Sequence, residues 1–272
     1  MSEESRPPHA VLVRSCEGFS ASVVAAVLAK RAGVPALDMI PVARRSWGIV
    51  AESLPAAEAE ALAAALAQAG QPCVCVPTSL LEDLPPPVSA TKVSFSGDGL
   101  DLIAGRENPA PERLSWSRLA ALCAAGLETR QTTTVTETPT GVTAGQAVRL
   151  GLTLVTGLPL LKRRAETKRT VESRDRRLVL DILFSEPARR LRVDAHDFDY
   201  SVLGARMGYG AELNFHALLE EFVSRAPRAL RGGGTRALLA HRPAGDSLYE
   251  SLDVLAREER WLFSVAVLRA AS

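Results

Sequence analysis

Three consecutive prolines, Pro85–Pro87, constrain the fold of this chain more than any other feature. Proline lacks a backbone N–H donor and its fixed φ favours extended polyproline II, so the run cannot continue a helix or a central strand. The surrounding segment TSLLEDLPPPVSA, residues 78–90, is therefore predicted to be a linker. A chain of 272 residues is long enough for two domains, and we expect a small module over 8–77 and a larger domain over 91–272.

Residues 8–77 alternate between short apolar runs and amphipathic, alanine-rich segments. Ser20 is placed to cap a helix that Gly33 ends, and Pro55 opens a helix that Gly70 ends. The predicted elements are strands at 10–14, 47–52 and 72–77 and helices at 20–32, 36–43 and 55–69. This order is βααβαβ, and it becomes ferredoxin-like if residues 36–43 form a strand instead.

The domain over 91–272 is predicted to be rich in β-strands. The runs KVSFS and LDLIA flank the turn Gly97–Gly99, which predicts a hairpin. Apolar residues at helical spacing, Phe215, Leu218, Leu219 and Phe222, predict an amphipathic helix. The other predicted elements are an excursion at 129–177, strands at 178–184 and 190–196, a short helix at 248–257 and a final strand at 261–268. The fold class is therefore predicted to be α+β.

The segment GIVAESLPAAEAEALAAALAQAGQPCVCV, residues 48–76, resembles the C-terminal domain of the bacterial ribosomal stalk protein. That family has a similar helix of E-A-E-A-L type, followed by a glycine and a final strand. The resemblance implies a similar small α/β fold. The lysine-rich surface by which the stalk domain binds its factors is absent from this sequence, so the resemblance does not imply a ribosomal function.

The segment SGDGLDLIAGRENPAPERLSWSRLAALCAAGLE, residues 96–128, resembles the first hairpins of a pleckstrin-homology-like domain. That resemblance implies an antiparallel β domain with a C-terminal helix, which binds rather than catalyses. The chain is also similar to uncharacterised proteins of GC-rich bacteria, and this similarity implies no activity. It is carried by FDYSVLGARM (198–207), NFHALLEEFVSRAP (214–227) and LYESLDVLAREERWL (248–262).

Composition and charge exclude several classes of protein. The net charge of +1 is low for a dedicated nucleic-acid binder, so such a role requires a local basic patch. The C-x-C pair Cys73 and Cys75 lies in an apolar run without a second pair, which favours buried thiols in a reducing compartment over a zinc site. The polar start MSEESRPPHA is unlike a secretory signal, and no apolar run reaches the ~18–20 residues of a membrane span. We therefore expect a cytoplasmic bacterial protein.

The strongest functional signal is the segment 149–177, in which an apolar run meets a basic one. Residues 162–177 contain eight Lys/Arg and three Asp/Glu, a local net charge of +5. Anionic lipid attracts such a patch by ~1 kcal/mol per basic side chain, and the adjacent leucines can enter the membrane interface. The candidate residues for contact with an anionic surface are Lys162, Arg163, Arg164, Lys168, Arg169, Arg174, Arg176 and Arg177. The alternatives are a helix or hairpin that packs its leucines on the domain with solvated charges beside it, and a nucleic-acid patch.

Catalytic signals are weak. The cluster VDAHDFDY contains Asp194, His196 and Asp199, whose side chains are typical ligands of hydrolytic metal sites, but a strand holds at most two of these on one face. The run Gly232–Gly234 lacks the Gly-Lys-Ser/Thr of a phosphate loop and is predicted to be a flexible linker. We therefore expect a binding or adaptor protein with an unknown protein partner, and no cofactor, metal or catalytic residue is predicted. A metal-dependent hydrolase and a nucleic-acid-binding protein are the alternative functions.

Overall fold

The structure, a computed structural model, describes residues 7–15, 18–104, 112–137 and 167–271. At residues 104 and 271, and over 129–137 and 167–175, it describes the backbone but not the side chains. The chain divides into two compact units, one formed by Met1–Glu128 with Arg176–Ser272 and the other by Thr129–Asp175. The site described below lies within the first unit.

The N-terminal part of the chain forms a three-stranded antiparallel sheet with helices packed on it. Its elements are β1 His9–Val13, α1 Ala21–Ala32, α2 Ala36–Ser46, β2 Ile49–Leu54, α3 Ala56–Gln68 and β3 Cys73–Pro77. The strand order is β2-β1-β3. Ser20 Oγ accepts a hydrogen bond from the amide of Val23, and Gly33 ends α1 with φ 68°. The order βααβαβ is confirmed, and the ferredoxin-like alternative is wrong because residues 36–46 are helical.

The rest of the chain is built around a mixed six-stranded sheet. Its elements are β4 Pro87–Ser89, β5 Lys92–Phe95, β6 Gly99–Ala104, β7 Glu112–Ser115, β8 Leu119–Glu137, β9 Thr167–Ser185, β10 Ala188–Asp194, α4 Ala211–Arg225, β11 Leu230–Arg231, α5 Gly233–Leu239, β12 Leu248–Tyr249 and α6 Leu252–Ala271. The sheet runs β11-β8-β9-β10-β4, and β12 also pairs with β8. The α+β class is confirmed. The expected antiparallel sheet is corrected to a mixed one, since β4, β11 and β12 pair in parallel.

One face of the six-stranded sheet packs against α4 and against the small sheet β5-β6-β7. Alternate residues of β9, from Leu178 to Phe184, point into this core. The apolar face of α4 is completely buried in it, as its spacing predicted. Its fully buried residues are Phe215, Leu218, Leu219 and Phe222.

The opposite face of the sheet packs against α6 and the N-terminal sheet in a second core. Trp261 of α6 lies at the centre of this core and donates its indole N–H to the carbonyl of Val13 over 2.8 Å. The strand expected at 261–268 is therefore wrong, because WLFSVAVL continues a helix that begins at Leu252. A short run that is apolar on all sides fits a buried helix and a buried strand equally well.

The segment 78–90 joins these elements and does not separate them. Leu81 is buried in the core that contains Trp261, and the amide of Glu82 donates to Ser264 Oγ of α6. Pro87 begins the edge strand β4, a position where a missing N–H is tolerated. Apolar residues on both sides of 78–90 share one core, and a domain boundary in this segment stays a prediction.

The segment 129–177 was expected to be an excursion from the second domain. Where the structure describes it, the backbone is regular strand, since β8 reaches Glu137 and β9 begins at Thr167. The bounds 129–177 are close to those of the second compact unit, Thr129–Asp175. The excursion stays a prediction, and the part over 138–166 lies outside the described residues.

A cluster of buried charges lies where α6 meets β9 and β10. Asp181, which is fully buried, accepts hydrogen bonds from Arg190 Nε at 2.9 Å and Arg192 Nε at 2.7 Å. Arg190 Nη2 also lies 2.6 Å from Glu259 Oε2, which places a second buried carboxyl beside Asp181. Burial, and then the neighbouring Asp181, raise the pKa of Glu259. The cluster thereby ties α6 to the sheet through polar contacts as well as apolar ones.

Candidate anion-binding site

A cavity of about 330 Å³ lies beside the end of α6, and four arginines contribute to its wall. Its lining comes from four separate parts of the chain: the segment after β1, the connection between α4 and β11, the helix α5 and the last turn of α6. We call it the arginine pocket. The lining residues are Ser15, Pro227, Arg228, Ala229, Leu230, Arg231, Arg236 and Arg269.

The first wall of the arginine pocket is the turn that follows α4. Pro227, which has no N–H to extend the helix, comes directly after the helix cap Ala226. The amide of Ala229 then donates to the carbonyl of Ala226 over 3.1 Å, and both alanines are buried. Arg228 lies between these two anchors and is exposed. The tight turn thus fixes the backbone on each side of a solvent-facing arginine.

The second wall is formed where β11 passes into α5. Strand β11 pairs in parallel with β8, which places Arg231 at the edge of the sheet. A Cβ atom added to Gly234 would lie 2.1 Å from the carbonyl oxygen of Ala124, so only glycine allows α5 to approach β8 this closely. This close approach holds the first turn of α5 against the sheet and positions Arg236 in the cavity wall.

One of the nitrogen donors of Arg236 has no described hydrogen-bond partner. Its Nη1 atom is buried and has no hydrogen-bond partner among the residues that the structure describes. Glu258 attracts the guanidinium, but the oxygens of Glu258 already accept bonds from Tyr249 Oη at 2.5 Å and from the amide of Gly233 at 2.7 Å. Burial raises the pKa of Glu258, which weakens its role as a counter-charge.

Arg269 reaches the arginine pocket from α6 and is held in place by the chain. Its Nη2 atom donates to the carbonyl of Arg14 over 2.8 Å. A guanidinium has five N–H donors in a rigid planar fork, so this bond orients the group and leaves donors for another acceptor. The pocket therefore combines two exposed arginines, of which Arg269 is bonded to the backbone, with two that are half-buried.

The lining of the arginine pocket supports binding and offers no acid or base. Among the described residues, no aspartate, glutamate, histidine or cysteine lines it. Guanidinium groups stay protonated near neutral pH, so they cannot exchange protons with a substrate. Their paired N–H donors match the oxygens of phosphate and carboxylate groups. The arrangement can hold an anion, and Ser15 is the one hydroxyl side chain in this lining.

Two of the predicted membrane-contact residues have described side chains, and neither lines the arginine pocket. Arg176 forms an ion pair with Glu212 and donates to Ser247 Oγ over 2.9 Å. Arg177 forms an ion pair with Asp194. These two arginines therefore have partners within the protein.

The other six predicted membrane-contact residues have no described side-chain positions. Lys168, Arg169 and Arg174 lie on the backbone of β9. Lys162, Arg163 and Arg164 lie outside the described residues.

The residues proposed for a metal-dependent hydrolase have partners of their own. Asp194 pairs with Arg177, and Asp199 accepts a hydrogen bond from Lys92 over 2.7 Å. That bond from Lys92 lowers the pKa of Asp199 to about 2. The ring of His196 comes within 3.9 Å of Asp194, but no cluster of three potential metal ligands occurs among the described residues. The structure does not bring Asp194, His196 and Asp199 together as one site.

The run Gly232–Gly234 was predicted to be a flexible linker, and this is wrong. Gly232 caps α5, and the amide of Gly233 is taken by Glu258 rather than left for a phosphate. The sequence PRALRGGGTR around it holds three of the four pocket arginines. That spacing is the signal that was available in the sequence, but the fourth arginine, Arg269, lies just after the segment 261–268 that was predicted as a strand.

Comparison of the chain with protein-family models, curated proteins and solved structures found no match. None of the described helices has the length and apolar character that a membrane span requires. The resemblances noted in the sequence therefore stay expectations.

Proposed function

We propose that this chain is a non-enzymatic binding protein that holds a small anionic ligand in the arginine pocket. The observation that carries the proposal is the convergence of four arginines on one cavity whose described lining holds no acidic side chain. Like charges gathered around a cavity repel one another, and an anion bound between the guanidinium groups offsets that repulsion.

The proposal also accounts for the absence of proton-transfer groups in the described lining. A binding site needs charge complementarity and fixed donors, which guanidiniums provide. An enzyme that hydrolyses or transfers a group usually needs a general acid or base beside the reacting atoms. This favours binding over the alternative of a hydrolase.

Thermal unfolding in the presence of phosphate tests the proposal. A ligand present at 100 times its dissociation constant stabilises the folded state by ~2.7 kcal/mol, which corresponds to a shift of roughly 5–10 °C for a chain of this size. Inorganic phosphate or sulfate should raise the melting temperature relative to chloride at equal ionic strength. Arg231→Gln should reduce the shift, and Arg45→Gln, on the exposed surface of α2, should not. Equal curves in phosphate and chloride would contradict the proposal.

Contact with an anionic membrane through 149–177 is a second proposal, supported by the charge of the sequence alone. Pairing of Arg176 and Arg177 inside the protein reduces the basic residues free for a surface from eight to six. With three acidic residues, the local excess falls from +5 to +3. Binding to nucleic acid through the same residues, a partner protein and a cytoplasmic location likewise stay proposals from the sequence.

A further inference from the structure

We infer that the ligand of the arginine pocket is a compact hydroxylated molecule that carries two phosphate groups, of the class of a sugar bisphosphate. This inference rests on the proposed function, because it names the chemistry of the anion that the pocket holds. Three properties of the cavity support it: its charge, its size and the nature of its lining.

The charge of the pocket calls for more than one anionic group. Four guanidiniums line it and no acidic side chain does so among the described residues, so the wall has a formal charge of +4. A phosphate monoester carries about −1.5 to −2 at neutral pH. Two such groups neutralise the four arginines, whereas one phosphate or carboxylate leaves most of the positive charge uncompensated.

The size of the pocket calls for a scaffold between these groups. A water molecule occupies ~30 Å³ in the liquid, so a cavity of about 330 Å³ has room for roughly eleven waters. A single phosphate group displaces only a few of them. The volume lies at the lower end of the ~300–1,000 Å³ found for small-molecule sites, which fits a sugar-sized ligand.

The lining indicates that the scaffold is polar and not aromatic. Among the described residues no phenylalanine, tyrosine, tryptophan or histidine lines the cavity. A nucleobase is usually held by stacking on such rings, so this wall offers it no platform. Arginine N–H groups and the hydroxyl of Ser15 instead provide hydrogen-bond partners for the hydroxyls of a sugar or polyol.

Isothermal titration calorimetry with four probes tests the inference on the full chain. Fructose 1,6-bisphosphate is compared with fructose 6-phosphate, inorganic phosphate and ADP at one ionic strength. We expect the bisphosphate to bind at least tenfold more tightly than the monophosphate. ADP has two phosphates but also a base, and we expect it to bind more weakly than the bisphosphate.

Two variants locate the binding in the arginine pocket. Arg231→Gln and Arg269→Gln remove charges from different walls, and each should weaken bisphosphate binding at least tenfold, while Arg45→Gln leaves it unchanged. If phosphate binds but the bisphosphate binds no more tightly than the monophosphate, or ADP binds best, the inference is overturned and the proposed function stands. If none of the four probes binds, both are overturned. Bisphosphate binding that both pocket variants retain would place the ligand elsewhere and also overturn the inference.

Discussion

Replacing Trp261 tests whether the N-terminal sheet and the rest of the first unit unfold as one structure. The side chain is 1% exposed and packs in the core that joins β1 to α6. Truncating a buried tryptophan to alanine typically costs about 3–5 kcal/mol. The carbonyl of Val13 would also lose its bond from the indole, and an unsatisfied buried acceptor costs a further ~1–3 kcal/mol. Domains are stable by only ~5–15 kcal/mol, so the combined loss in Trp261→Ala is large enough to unfold the protein. Trp261→Phe keeps an aromatic ring and removes this bond, and it is therefore the safer variant.

Urea unfolding followed by circular dichroism and by tryptophan fluorescence provides the assay. Phe222→Ala is the matched perturbation in the other core, where the ring is fully buried and the expected loss is about 3–5 kcal/mol. If the six-stranded sheet couples the two cores, wild type shows one transition by both probes. Trp261→Phe and Phe222→Ala should then both lower the midpoint of that transition, with little change in its slope.

A different result would refute this reasoning. Wild-type protein that unfolds in two transitions, of which Trp261→Phe shifts one and Phe222→Ala shifts the other, would show two independent cores. Such a result would support the domain boundary expected at 78–90, and limited proteolysis there should release two stable fragments.

Three further results are expected. Burial raises the pKa of Glu259 to about 10, so the folded protein binds this proton more tightly than the unfolded chain does. The free energy of unfolding should therefore fall between about pH 5 and about pH 10, by at most ~1.4 kcal/mol per pH unit, and Glu259→Gln should remove this part of the fall. Gly234→Ala forces Cβ against the Ala124 carbonyl and should cost ~1–3 kcal/mol or more in urea unfolding, whereas Gly245→Ala, with open space around it, should be nearly neutral. Replacing the four basic residues of 163–169 by glutamate reverses their charge and should abolish co-sedimentation with anionic vesicles without lowering the melting temperature. Wild-type protein that never co-sediments with such vesicles would contradict the membrane proposal.

The elements that the sequence predicted well are those determined by local signals. Ser20 and Gly33 bound α1, and Pro55 and Gly70 bound α3, because caps and stops act on neighbouring residues. The buried face of α4 was equally predictable from the sequence, because its apolar residues recur at helical spacing next to polar ones.

The elements that were missed depend on contacts between distant parts of the chain. The segment 261–268 is apolar on every side because α6 is buried between the sheet and the N-terminal module, so its periodicity carries no information. The arginine pocket was missed for a related reason. Arg269 approaches Arg231 and Arg236 only once α6 has packed, and nothing in a linear sequence shows that convergence.

The position of α6 also bears on how the chain folds during synthesis. This helix supplies Trp261 to one core, Glu259 to the buried charges, Glu258 to the first turn of α5 and Arg269 to the pocket. On the ribosome, the described partners of α6 emerge before the helix itself does. Until it arrives, the nascent chain exposes an apolar sheet face and leaves Arg190 without Glu259. Exposed apolar surface makes such an intermediate prone to aggregation until residues 252–271 have been synthesised.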